Sequence, residues 1–187
     1  MTVGLLGGAF DPPHNGHVAL AHAALERFGL DPLVVLVAAN PGHRSVEAPA
    51  EARLRLVQAA FGDLHGVVVE LDDHPRTIDL LREGRWDDPL FVLGADEFAA
   101  FPSWKEPDEV LALAQLGVAT RPGYPRDRLR RVLLQLRHPE RVHLFEISPV
   151  AVSSTEVRRR AARGEPLDGL VPPAVAALVR ELGVYHG

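Results

Sequence analysis

Residues 3–17 read Val3-Gly4-Leu5-Leu6-Gly7-Gly8-Ala9-Phe10-Asp11-Pro12-Pro13-His14-Asn15-Gly16-His17. The apolar run Val3–Leu6 has the character of a buried strand and stops at a glycine pair. Gly7 and Gly8 let the backbone turn tightly and approach a ligand closely. The turn leads to His14 and His17 at a helix start, where side chains at i and i+3 share a face. A helix N-terminus offers unpaired N–H groups and positive dipole potential to an anion. Two imidazoles beside it, with Gly16 between them, make a phosphate cradle. The same residues also admit a tight turn with two surface histidines, or part of a metal site. The spacing is neither G-x-G-x-x-G nor G-x-x-x-x-G-K-S/T, which excludes a dinucleotide fingerprint and a Walker loop here.

Outward from this stretch, apolar runs alternate with helical patterns. Helical spacing covers His17–Phe28, with Val18, Ala21, Leu25 and Phe28 on one side, and Ala50–Phe61, with Leu54, Val57 and Phe61. Shorter helices are predicted over Ile78–Glu83 and Asp108–Ala114, and longer ones over Arg126–Leu136, Ser154–Arg163 and Pro173–Leu182. Strands are predicted at Leu33–Ala38, Val67–Leu71, Leu90–Leu93, Leu116–Ala119 and Val142–Phe145. The alternation predicts an α/β fold with a doubly wound, mainly parallel sheet and helices on both faces. Ligands in such sheets sit beyond the carboxyl ends of the strands. Gly7–His17, Asn40–Arg44, Gly94–Asp96 and Ser153–Arg158 all fall there. Asn40–Pro49 and Arg121–Arg126 mix Gly or Pro with charge and are expected to be mobile.

Composition bounds the rest. The chain has 187 residues, 47% of them hydrophobic, enough for a core of its own. No repeat or linker interrupts it, so residues 1–187 are expected to form a single domain. The formal net charge is -5, which argues against coating a nucleic-acid backbone, so phosphate binding must come from local donors. There is no cysteine, which excludes disulfides and thiolate chemistry and suits a cytoplasmic protein. The N-terminus lacks the basic region of a signal peptide. No segment approaches the roughly 20 apolar residues of a membrane helix, so no membrane partner is expected.

A second segment is Val152-Ser153-Ser154-Thr155-Glu156-Val157-Arg158. Ser153 and Glu156 have capping-box spacing, and a well-capped helix is the simplest reading. Ser154 and Thr155 also bring hydroxyls to a helix N-terminus, and Arg158 on its first turn can fork onto the same anion.

Together GGAFDPPHNGH and VSSTEVR resemble the two signatures of the nucleotidyltransferase superfamily with a T/HxGH motif. Their order and spacing are similar to those of the bacterial nicotinate mononucleotide adenylyltransferases. Asn40-Pro41-Gly42-His43-Arg44 resembles that family's N-P-P-H-K segment. Thr77-Ile78-Asp79 resembles its T-I-D element, and Gly94-Ala95-Asp96 with Trp104 its G-A-D…W element. Arg121-Pro122-Gly123 and Val171-Pro172…Tyr185 fit as well, so nearly the whole chain is covered. There are departures. Ala9 stands where the family usually has Thr, Gly42 and Arg44 replace Pro and Lys, and Pro75-Arg76 replaces Ser-Tyr.

The resemblance implies a Rossmann-like domain that transfers AMP from ATP to nicotinate mononucleotide, with pyrophosphate leaving. It implies that His14, His17 and Arg158 act on the phosphates. Gly7, Gly8, Ala9, Phe10, Gly16, His43, Arg44, Gly94, Asp96, Ser153, Ser154 and Thr155 would bind ATP, Asp96 through a ribose. Thr77, Trp104 and Arg121 would receive the acceptor, Trp104 by stacking on the pyridine ring. Mg²⁺ would arrive on the ATP phosphates, with no dedicated protein metal site. Trp104 plugging a loop and Asp96 capping a turn are the plainer readings of those two residues. Rival functions are the same chemistry on nicotinamide mononucleotide or phosphopantetheine, a non-catalytic nucleotide sensor, and a metal-dependent hydrolase. A homo-oligomer is left open.

Overall fold

The continuous apolar runs Leu33–Ala38 and Leu90–Leu93 lie in central strands buried on both faces, while the runs at the sheet edges are partly exposed. The computed structural model describes residues 2–42 and 45–185. Its strands are β1 (Thr2–Gly8), β2 (Leu30–Ala38), β3 (Val67–Asp72), β4 (Leu90–Gly94), β5 (Gln115–Thr120) and β6 (Val142–Glu146). The helices are α1 (Asn15–Phe28), α2 (Ala50–Phe61), α3 (Thr77–Leu81), α4 (Ala95–Ala100), α5 (Pro107–Leu113), α6 (Arg126–Leu133), α7 (Ser154–Ala162) and α8 (Pro173–Leu182). The strands form one sheet in the order β3-β2-β1-β4-β5-β6, and every neighbouring pair is parallel. This is the expected α/β, Rossmann-like arrangement. The chain winds outward from β1 to β3, then returns to β4 on the other side of β1. The gap between β1 and β4 is therefore the topological switch point. No helix among the described residues is long and apolar enough to cross a membrane.

Alternation along the strands divides the core in two. Leu6, Leu33, Val35 and Val37 face the layer of α1, α2, α7 and α8. Leu5, Val34 and Leu36 face the layer of α3 to α6. Differences from the sequence reading are local. Helix α4 was not expected, because six residues directly after β4 are too short to display a helical period. Its anchor is Phe98, which is fully buried. Helix α6 stops at Leu133, and β2 begins at Leu30, ahead of Pro32. Helix α2 turns Leu56 and Arg53 inward, while Leu54 is only partly buried.

Arg53 is the anomaly of this core, a guanidinium with no solvent exposure. Its Nη1 donates to the carbonyls of Ala9 and Ala38, both at 2.7 Å. Its Nη2 donates to Ala39 O at 3.0 Å and its Nε to Ala48 O at 3.1 Å. Burial lowers its pKa, and the nearby Asp11 carboxylate opposes that shift. Arginine stays charged even so. One side chain thus pins the turn after β1, the turn after β2 and the approach to α2.

Replacing Arg53 by Met keeps an apolar stem but leaves four carbonyls short of donors. Each unsatisfied buried group costs about 1–3 kcal/mol. The Arg53→Met protein should lose about 3–5 kcal/mol of stability, as for other broken buried charge networks. Urea unfolding measures this as a lower midpoint. A loss under about 1 kcal/mol would mean that the carbonyls find other partners.

Candidate active site

Gly7 and Gly8 close β1 at the switch point, and each is glycine for a contact on a different face. A Cβ on Gly7 would lie 3.2 Å from Cζ of Phe91, and one on Gly8 would lie 3.0 Å from the Phe10 ring. Phe10 folds back over Gly8 at φ +47°, a left-handed conformation that non-glycine residues rarely adopt. Its ring packs edge-on against His17 at 4.9 Å and against Phe61 at 6.4 Å.

The turn ends on His14, which precedes the first residue of α1 with an extended backbone. The rings of His14 and His17 stack, 3.7 Å apart and 21° from parallel. Nδ1 of His17 accepts a hydrogen bond from the His14 peptide N–H at 3.2 Å. A nitrogen that accepts carries no proton, so His17 bears its proton on Nε2. Nδ1 of His14 is buried with no hydrogen-bond partner among the described residues. Desolvation lowers its pKa from the ordinary 6.5 to about 4, so the ring is neutral at neutral pH. Gly16 lies close beneath it, and a Cβ there would stand 3.0 Å from the His14 ring and press on it.

His14, Gly16 and His17 form one wall of a cavity of about 250 Å³. Gly94, Ala95 and Asp96, where β4 enters α4, form another, and Thr120 and Arg121, at the end of β5, a third. Leu20, Ile147, Val150 and Val152 give the cavity an apolar side. Tyr124 is buried and donates to Ala95 O at 3.2 Å, with Asp96 Oδ1 3.3 Å away. Tyr124 therefore anchors the 121–126 stretch that the sequence suggested was mobile.

The second segment docks onto the first. Ser153 caps α7 by accepting from the Glu156 N–H at 3.2 Å. The Ser154 hydroxyl donates to Pro12 O at 2.8 Å and so ties the start of α7 to the turn. Thr155 is exposed. Arg158 donates through Nη1 to Asp11 O and through Nε to Glu47 Oε1, both at 2.7 Å. Asp11 is itself buried. It accepts from the peptide N–H groups of Glu47 at 2.7 Å and Ala48 at 3.1 Å, and from the Tyr185 hydroxyl at 2.7 Å. Ala9 contributes its carbonyl, to Arg53.

Thr77 and Trp104 lie away from the cavity, beside the opposite layer. Thr77 opens α3, and the half-buried Trp104 packs against Phe91 at 6.1 Å and Phe101 at 5.2 Å. Lys105 and Asp79 bridge these two segments at 3.0 Å. Phe91 touches both Trp104 and the space over Gly7, so the glycine pair is the junction between the two groups. Arg121 is on the cavity side, apart from Thr77 and Trp104. His43 and Arg44 lie outside the described residues. The sequence reading missed Asp11, Glu47, Arg53, Thr120 and Tyr124. Of the two arginines on α2, Arg53 is the one in register with Leu56 and Val57, and that was the available signal.

Residues 5–160 match the family model described as cytidylyltransferase-like. The chain is 37% identical over 195 aligned positions to a probable nicotinate-nucleotide adenylyltransferase of Thermus thermophilus, covering 100% of both chains. It is 35% identical over 198 positions to a protein of the same name from Rubrobacter xylanophilus, covering 100% of this chain and 92% of that one. Among solved structures it is similar to the Plasmodium falciparum nicotinic acid mononucleotide adenylyltransferase complexed with NaAD. That match has a TM-score of 0.79 and 16% identity, and covers 98% of this chain and 97% of the other. A putative nicotinate-nucleotide adenylyltransferase from Vibrio parahaemolyticus gives a TM-score of 0.66 at 20% identity, covering 99% and 96%. At these identities the structural matches speak to the fold alone.

The low pKa of His14 has a consequence for stability. Unfolded, the residue titrates near 6.5; folded, near 4. Between those values the unfolded chain binds more protons, so stability falls as pH drops from 6.5 to about 4, by at most about 3 kcal/mol. His14→Gln should flatten this limb of a plot of Tm against pH. Identical acid limbs in the two proteins would assign it to other groups.

Proposed function

The chain belongs to the cytidylyltransferase-like family and, by relatives that match along its whole length, to the nicotinate-nucleotide adenylyltransferases; from that premise we propose that it joins ATP and nicotinate mononucleotide into nicotinate adenine dinucleotide. The observation that carries the proposal is the stacked His14–His17 pair at the start of α1, facing the cavity at the β1–β4 switch point.

An oxygen of the acceptor's phosphate attacks the α-phosphorus of ATP. That P–O bond forms as the bond to the bridging oxygen of the β-phosphate breaks, and pyrophosphate leaves with the electron pair. The nucleophile is already ionised at neutral pH, so no general base is required. The protein's work is alignment and stabilisation of charge. The Nε2–H of His17 donates to the α-phosphate region, and His14 lies stacked beside it. The cavity takes the adenosine: its apolar side suits a flat base, and Asp96 accepts from a ribose hydroxyl. Arg121 lines the same cavity, so we assign it to the nucleotide, although the resemblance suggested the acceptor. Thr77 and Trp104 receive the nicotinate ring across the Gly7–Gly8 junction. Arg158 meets the leaving pyrophosphate from α7.

Among the described residues no group of three or more His, Cys, Asp or Glu side chains could hold a metal ion. Mg²⁺ would arrive on the ATP phosphates, where it would supply further charge neutralisation.

Pyrophosphate release from ATP and nicotinate mononucleotide tests the whole reading. His17→Ala should lower kcat by roughly 10²–10³, the usual cost of one lost transition-state donor, while substrate affinity changes less. Near-normal turnover would remove His17 from the chemistry.

The acceptor's acid group gives a second test. A carboxylate accepts from the Thr77 hydroxyl and nearby peptide N–H groups, whereas an amide aims donors at donors. Each such clash costs about 1–3 kcal/mol. The nicotinate form should therefore be preferred roughly 10–100-fold in kcat/KM. Equal efficiency with nicotinamide mononucleotide would refute the acid preference and leave adenylyl transfer intact. Arg76, next to Thr77, is exposed, and comparing both acceptors in Arg76→Ala measures its share.

A further inference from the structure

Arg158 already has a carboxylate partner in the ligand-free protein. Its Nη1 is fixed to Asp11 O, while its Nε edge meets Glu47 at 2.7 Å. The backbone carrying Glu47 is fixed too. Asp11 takes its N–H at 2.7 Å, and Ala48 is held at one end by Asp11 and at the other by Arg53. The side chain of Glu47 is 59% exposed, whereas that of Arg158 is 22% exposed. Glu47 can therefore swing into water cheaply while its anchor stays beside the arginine. Such a pair is worth only about 0.2–1 kcal/mol. A polyphosphate carries more charge and offers several oxygens to the same fork.

We propose that Glu47 is an internal competitor for the pyrophosphate subsite. It occupies Arg158 when the site is empty, yields to the β- and γ-phosphates of ATP, and reclaims Arg158 as pyrophosphate departs. This rests on the reading of Arg158 as a leaving-group contact. Glu47 acts through Arg158 and is a positioning residue, not a catalytic one.

Glu47→Gln keeps the shape of the side chain and removes its charge. The KM for ATP and the inhibition constant for pyrophosphate should each fall, by up to about 5-fold, the worth of the pair. The KM for nicotinate mononucleotide should not move. The gain should shrink in high salt, because the competitor is an ionic one. It should also vanish when Arg158 is already Ala, since the competition is for that one group. Glu47→Ala should repeat the pattern, and matching melting curves exclude a folding defect. If Glu47→Gln binds ATP and pyrophosphate no better, or still gains in the Arg158→Ala background, the competitor role is overturned. If Arg158→Ala alone leaves both affinities unchanged, the reading of Arg158 fails instead.

Discussion

The guanidinium of Arg53 and the carboxylate of Asp11 hold the active end of this molecule together. The Asp11 carboxylate is near Arg53, but the hydrogen bonds of Arg53 go to backbone carbonyls of three separate turns. Asp11 does the complementary task, collecting the N–H groups of Glu47 and Ala48 and the hydroxyl of Tyr185. Ala48 is shared, its N–H on Asp11 and its carbonyl on Arg53. Loops that leave the ends of parallel strands carry polar backbone the sheet cannot satisfy. Here two oppositely charged side chains satisfy it from inside. Burial also pushes the Tyr185 hydroxyl pKa upward, so the phenol remains a donor to Asp11. The C-terminal stretch thereby contributes to the geometry of a turn formed by residues 9–13.

On that frame the glycine pair distributes two chemistries to two faces of one strand end. Because side chains alternate, Gly7 clears the side of Phe91 and Trp104, and Gly8 clears the side of Phe10 and His17. The absence of two side chains leaves room beside Phe91 on one face and beside Phe10 on the other, the space that a bridging molecule would use on the proposed reading. A dinucleotide product has that form: two nucleosides joined through phosphates.

The sequence made the sheet legible because a doubly covered parallel strand is a continuous apolar run, as in Leu33–Ala38. It made the histidine turn legible because the glycines, prolines and histidines are contiguous. It hid what depends on three-dimensional convergence. Arg53 reads as one more solvated helix arginine until Leu56 and Val57 show that its face is inward. Ser154 reads as part of a helix start, and only the fold shows its hydroxyl on Pro12 O. Tyr124 sits in a Gly- and Pro-rich stretch that reads as mobile, and only the fold brings Ala95 beneath its hydroxyl. Helix α4 has too few residues for a period to emerge.

The electrostatics follow one rule. A chain of net charge -5 that handles polyanions must create local attraction without storing unpaired positive charge in an empty site. His14 meets this by burial, which keeps its ring neutral near neutral pH. His17 meets it by accepting the His14 N–H on Nδ1, which leaves Nε2 as its donor. Arg158 meets it by pairing with Glu47. Two imidazoles and an arginine therefore wait in a nearly neutral arrangement. On the proposed reading, an arriving phosphate would accept from the neutral imidazoles and draw the guanidinium from its carboxylate. On that reading the positive character of the site would grow as Arg158 leaves Glu47 and recede as the charged product departs.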